Sequence, residues 1–160
     1  MKASQPPENP REREIYDQVI RVYKAYAEKD VETLKEIYPT TTDLILFLEG
    51  PHMKLVGWET FEKFFVEFGL AYDVVCTPGA DFRYVRADEN AGFAYGTVIN
   101  VCKEKSTGFP VRWMARTTIC LVKVDGKWKM IHHHDSVPGN IAFIMEGPEE
   151  GEGGHFHVAG

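Results

Sequence analysis

At 160 residues the chain is sized for one domain around one hydrophobic core, enough to bury about two-thirds of its unfolded surface. Hydrophobic residues at 44% and charged residues at 26% are the balance of an ordinary soluble globular protein, and a net charge of -6 argues against a phosphate-binding surface, which excludes nucleic acid as the main partner. Cys76, Cys102 and Cys120 stand in apolar or strand-like sequence without a C-x-x-C pair, which predicts buried thiols in a reducing compartment.

Residues 1–10, MKASQPPENP, carry no apolar run of the signal-peptide kind, and no stretch approaches the length needed to cross a bilayer, so a cytoplasmic protein without a membrane partner is expected. The same ten residues are polar and proline-rich and predict a loose arm. From Arg11 the pattern becomes helical, with Ile15, Val19, Val22, Tyr23 and Tyr26 recurring at three- and four-residue intervals. Asp30 is placed to cap a short second helix from Val31 to Tyr38, which Pro39 ends. Leu44 to Leu48 reads as a brief strand closed by Glu49-Gly50-Pro51. Near Gly57 a third helix begins, whose face is unusually aromatic: Trp58, Phe61, Phe64, Phe65 and Phe68.

Beyond Gly69 the pattern is that of strands. Asp81 to Arg86 alternates, Asp88-Glu89-Asn90 turns, Gly92 to Lys103 is long and apolar, and Lys105 to Gly108 turns the chain back into Phe109 to Val124. Asp125-Gly126 supplies the positive φ angles of a two-residue hairpin, and the last strand runs to Ser136 before Val137-Pro138 stops it. The strand before the hairpin carries apolar residues on both parities, with Trp113, Ala115, Ile119 and Leu121 on one and Met114, Cys120 and Val122 on the other. Both sheet faces should therefore be covered, one by helices and one by a second subunit. The domain proper is expected over 11–138. Residues 139–160 form a glycine- and glutamate-rich tail in which only Ile141 to Met145 offers a short contact, and no internal repeat appears.

Helices first, then a meander of long strands, is the element order of the α+β cone fold, in which N-terminal helices pack in a strongly bent, mainly antiparallel sheet around a pocket. The segment from Trp113 through Asp125-Gly126-Lys127-Trp128 to His134-Asp135-Ser136-Val137-Pro138 is similar to the SnoaL-like branch of the nuclear transport factor 2-like superfamily. It also resembles the association domain of calcium/calmodulin-dependent kinase II. The resemblance covers about 11–138, including the Gly57-Trp58 helix start and the Ala94-Tyr95 strand. The SnoaL-like resemblance implies a small-molecule enzyme needing no cofactor, of isomerase, dehydratase/lyase or cyclase type, that works by acid–base chemistry on an apolar carbonyl or cyclic substrate. The kinase resemblance implies instead a non-catalytic assembly or ligand-binding domain, forming a homodimer or larger ring. The string His132-His133-His134-Asp135-Ser136 resembles the HHHSS-like motif of iota-class carbonic anhydrases, a further alternative. Phe64-Phe65 stands where that family's third helix is expected to carry a tyrosine, so no strong hydration of carbon dioxide is expected.

Strict alternation along the last strand puts Trp128, Met130, His132, His134 and Ser136 on one face and Ile131, His133 and Asp135 on the other, unless a bulge admits members of both to the pocket. The carbonic anhydrase resemblance favours His134 and Ser136, whereas the kinase domain resembles this chain with a pocket arginine at the position of Asp135. His134, with His132 and Ser136 beside it, suits general acid or base work, or else ties down the strand end. Asp135 is the only carboxylate of the cluster; in an apolar cone its pKa should rise and make it a usable base, and otherwise it is a surface aspartate before a proline turn. Tyr16, Tyr23, Trp58, Phe61, Phe65, Tyr95 and Trp113, with His133, are candidates to wall the pocket and hold a ligand, the alternative for each being plain core. Arg116 either points into the cone to hold a carboxylate or enolate, or pairs across a subunit interface. His132-x-His134 has the spacing of a strand chelate, but no third ligand is in sequence reach and no metal is expected.

Overall fold

The first helix is set by its ends. Asn9 accepts the Arg11 amide into its side chain, Pro10 occupies the first turn where its missing N–H costs nothing, and Lys29 closes the helix in the left-handed region at φ 59°. In the computed structural model, which describes residues 2–41, 44–47 and 54–137, this is α1, Pro10–Glu28. Its apolar stripe, Ile15, Val19 and Val22, is completely buried and lies against the inner face of a sheet. The short α2, Val31–Ile37, starts under the Asp30 side chain, which accepts from the Thr33 amide, and buries Leu34 and Ile37. Two three-residue strands follow, β1 Ile45–Phe47 and β2 Lys54–Val56, and then the aromatic helix α3, Trp58–Ala71, which runs two residues past Gly69.

Five strands complete the chain: β3 Tyr72–Pro78, β4 Arg83–Arg86, β5 Ala91–Glu104, β6 Pro110–Val124 and β7 Lys127–Ser136. The sheet order is β2-β1-β7-β6-β5-β3, with β4 also paired to β5; every pairing is antiparallel except β1 with β7. This is the α+β cone, with the helices held in a bent, mainly antiparallel sheet. The bend is visible along β5. Its C-terminal half pairs with β3 and its N-terminal half with β4, and Gly96 stands between them at φ 149°. A Cβ there would meet the Phe82 Cα at 2.6 Å, so the backbones cross at a distance only glycine permits.

The hairpin turn at Asp125-Gly126 has both residues at positive φ, as its sequence requires. Six residues later the β6–β7 ladder skips: Cys120 pairs with His132 and Leu121 with Met130, leaving Ile131 as an extra residue on β7. Strict alternation along this strand is therefore corrected. Trp128 and Met130 point inward, Ile131 and His132 both stand outside, and His133 resumes the inward side.

Ahead of α1, Ser4 N donates to Pro78 O at 2.8 Å, Ala80 N donates to Lys2 O at 3.0 Å, and the Ser4 and Tyr84 hydroxyls meet at 2.8 Å. Backbone pairing with the β3–β4 connection orders this stretch without apolar content. On the outer sheet face of the single chain Val75, Phe93, Tyr95, Val101 and Ile131 are exposed, the face for which a second subunit is expected. Pro138 and the tail, like the residues from 48 to 53, lie outside the described residues. Among those described, no helix is long and apolar enough to cross a membrane.

Gly96→Ala combines a positive φ with a backbone clash, and should lower unfolding stability by about 2–4 kcal/mol in urea denaturation. Gly126→Ala, which has open space around its Cβ, should cost less; equal losses would contradict the crossing at Phe82.

Candidate active site

Because the sheet curls around the helices without closing on them, a cavity of about 260 Å³ remains between them. Its walls come from Tyr23 and Tyr26 of α1, from Phe61, Phe64, Phe65 and Phe68 of α3, and from Val74, Cys76, Val98, Cys102, Val111 and Trp113 on the inner sheet face. The polar side chains at the cavity are few: Asn100 on β5, the tyrosine hydroxyls, and Asp135 near the end of β7.

Asp135 is placed by the ladder. Facing it across the β6–β7 register is Thr117, whose hydroxyl donates to Asp135 Oδ1. Two residues back on the same face, His133 Nε2 stands 3.2 Å from the same carboxylate. The other ring nitrogen of His133, Nδ1, is 3.1 Å from the Tyr38 hydroxyl, which is in turn 2.6 Å from the Tyr26 hydroxyl. A proton count orients this row. With a neutral imidazole, Tyr26 donates to Tyr38, Tyr38 to Nδ1, and Nε2–H to Asp135, so every proton has an acceptor.

Burial pushes the Asp135 carboxyl towards the neutral form. His133, as a nearby charge when protonated and as a hydrogen-bond donor, outweighs it with help from Thr117, and the pKa falls below its ordinary value. The expected rise is thus overturned: desolvation acts as anticipated, but two buried donors that sequence spacing did not reveal act more strongly. Tyr23, Tyr26 and Tyr38 are driven the other way, first by burial, so all three stay neutral. The Tyr23 hydroxyl is also buried; it lies close enough to the Thr117 side chain to interact with it, but makes no hydrogen bond of good geometry among the described residues. A carboxylate and a buried phenol therefore share the cavity, groups that can take a proton from one ligand atom and donate a hydrogen bond to another.

The candidates divide sharply. Asp135, Tyr23, Phe61, Phe65 and Trp113 line the cavity, with His133 directly behind Asp135. His132, His134 and Ser136 are turned outward by the bulge; His134 is exposed, its ring 6.3 Å from that of His132, and the His132 pKa is lowered by burial and then by the two neighbouring imidazoles. Trp58 is core, its Nε1 donating to Glu62 at 2.7 Å, and Tyr16 meets the edge of Tyr84 with ring centroids 5.0 Å apart. Tyr95 and Arg116 lie on the outer face, so Arg116 holds nothing in the cone. Among the described residues no group of three His, Cys, Asp or Glu side chains comes together.

Sequence reasoning missed Tyr38, Thr117 and Asn100. Thr117 and Asn100 did leave a signal, each a polar residue at an inward position of an otherwise apolar strand. Tyr38 left none, because its partner His133 is 95 residues away.

A family model described as the SnoaL-like domain matches residues 15–140. No curated protein matches the chain. Among solved structures, a protein from Xanthomonas campestris assigned as a calcium/calmodulin dependent protein kinase II association domain superposes with a TM-score of 0.76 at 20% identity, covering 88% of this chain and 97% of its own. A nuclear transport factor 2-like superfamily protein from Salmonella enterica gives 0.70 at 17%, covering 86% and 97%. A ketosteroid isomerase-like protein from Erwinia carotovora atroseptica gives 0.63 at 16%, covering 80% and 96%. At these identities the superpositions speak for the fold.

The depressed Asp135 pKa fixes a sign. Its contribution to stability is complete above the unfolded aspartate value of about 3.9 and is lost as pH falls through the lower folded value. The stability difference between the parent chain and Asp135→Asn should therefore persist without shrinking from pH 7 to about pH 5 and be lost only below about pH 4. A difference already shrinking near pH 6 would show a raised pKa instead.

Proposed function

The chain belongs to the SnoaL-like domain family, and from that premise we propose that it is a small-molecule enzyme of isomerase or lyase type, acting by acid–base chemistry on an apolar carbonyl or cyclic ligand. The observation that carries this reading is Asp135, an ionised carboxylate that faces an aromatic cavity and is oriented from behind by His133 and Thr117. In the proposed step Asp135 takes a proton from carbon next to the ligand carbonyl, and the negative charge passes to the carbonyl oxygen. Tyr23 donates to that oxygen and stabilises charge where it develops. In a ligand with a β,γ double bond Asp135 then returns the proton to the γ-carbon, which moves the double bond into conjugation; alternatively a leaving group departs from the β-carbon with the bonding electron pair and takes the proton from Asp135, which completes an elimination. His133, Tyr38 and Tyr26 act as positioning residues, holding one carboxylate rotamer and supplying donors in the same place before and after transfer. A cytoplasmic location suits this reading, as Cys76 and Cys102 line the cavity as thiols.

The exposed apolar side chains of the outer sheet face support a companion reading, in which two copies of the chain pack these faces together. Tyr95, Phe93 and Ile131 would lie at the contact, with Arg116 and His134 among them.

Two measurements test these readings. Deuterium exchange into cyclic and aryl ketones should be accelerated by the protein, fall about 100-fold or more in Asp135→Asn and in Tyr23→Phe, and persist in His134→Ala. Exchange lost in His134→Ala and kept in Asp135→Asn would overturn the assignment. Light scattering at micromolar concentration should give a mass of two or more copies, reduced in Tyr95→Glu; a monomer counts against the face-to-face contact.

A further inference from the structure

The cavity has a charge character as well as a shape. No Lys, Arg or His is among the described residues that line it, and its one carboxylate belongs to Asp135. His133 stands behind Asp135 and is not part of the lining, so the carboxylate is the one Asp or Glu group that faces the cavity among the described residues. The walls add to this. Tyr26, Phe61 and Phe65 cluster with ring centroids 5.5 to 6.4 Å apart, Phe68 and Trp113 extend the lining, and each ring carries negative charge on its face. The Tyr23 hydroxyl, on the same wall, has lone pairs to offer as well as a proton.

From this we infer that the cavity takes a monocation: a protonated arylalkyl amine of about one ring, its ammonium head between Asp135 and Tyr23 and its body on the aromatic wall. The inference rests on the reading of the cavity as a ligand site, and it adds a ligand class to that site. An ammonium entering the cavity loses water, a loss that is offset only where a carboxylate and several ring faces replace the hydration shell together. Here both are present. An anion of the same shape meets a like charge and the negative faces of the rings, with no cation among the described lining residues to receive it. The size limit follows from volume, since 260 Å³ lies below the roughly 300–1,000 Å³ usual for drug-sized ligands. The net charge of -6 works in the same direction at long range by drawing cations to the surface.

The experiment is calorimetric titration of the whole chain at neutral pH with benzylamine, benzyl alcohol and benzoate, three ligands of one shape and three charges. Benzylammonium should bind more tightly than benzyl alcohol by about tenfold or more, and benzoate the least. Asp135→Asn should abolish the advantage of the amine while leaving the alcohol bound. Phe68→Leu, which thins the wall without touching Asp135, should weaken the amine more than the alcohol. Benzyl alcohol binding as tightly as the amine in the parent chain overturns the inference and leaves the acid–base reading standing if ketone exchange still depends on Asp135. Failure of all three ligands to bind overturns the cavity as a site for ring ligands of either kind.

Discussion

A carboxylate removed from water must be given donors or lose its charge, and this requirement at Asp135 links most of the molecule. The donors are Thr117 from β6 and His133 from β7, and His133 is held in turn by Tyr38 at the end of α2, with Tyr26 of α1 behind it. Each depends on a structural decision made elsewhere. Tyr38 is available because α2 stops after seven residues and its C-cap turns the ring inward. His133 is held from the other side of β7 as well, where β1 runs parallel to it and places fully buried Leu46 opposite. Helices and sheet are thus joined at the apex by one hydrogen-bonded row as well as by apolar burial.

The wider end is organised by sheet geometry. Gly96 lets β5 serve two partners in succession, β4 then β3, and the change of partner turns the inner face around α1. At the opposite corner Glu14 accepts from Arg86 at 2.8 Å and from the Trp128 indole at 3.1 Å, tying the start of α1 to β4 and β7. With both ends anchored, α3 covers the opening with phenylalanines, whose contacts are with one another more than with the sheet, and the cavity is what this arrangement does not fill.

Much of this architecture could be read from the chain. The 3.6 periodicity of Ile15, Val19, Val22 and Tyr23, the Asp30 cap and the Asp125-Gly126 turn each obey local rules, and local rules fix where elements begin and end. The resemblance of the hairpin and its histidine string to a known family supplied the cone. The site was legible only in composition. The string 132–136 announced proton-handling chemistry, but alternation could only divide it into two sets, because the extra residue at Ile131 is a property of strand pairing and leaves no mark on its own side chain. Asp135 was assigned an upward pKa for the same kind of reason: desolvation is local and foreseeable, whereas donors from Thr117 and His133 exist only once β6 and β7 are in register. For Arg116 the two alternatives, cone or subunit interface, turn on parity, which places it on the exposed outer face.

The bulge at Ile131 has a meaning for chemistry as well as for geometry. Five consecutive polar residues, 132 to 136, contain two complete sets of functional groups, and only one set can occupy the cone at a time. A slip of the strand end by one position along β6 would withdraw His133 and Asp135 and present His132, His134 and Ser136, with no side chain exchanged. An imidazole-and-carboxylate set and an imidazole-and-hydroxyl set are therefore separated by a backbone step and by no substitution. Which set faces the cone is thus a property of the strand pairing, carried by the placement of one irregularity and not by the letters of the string.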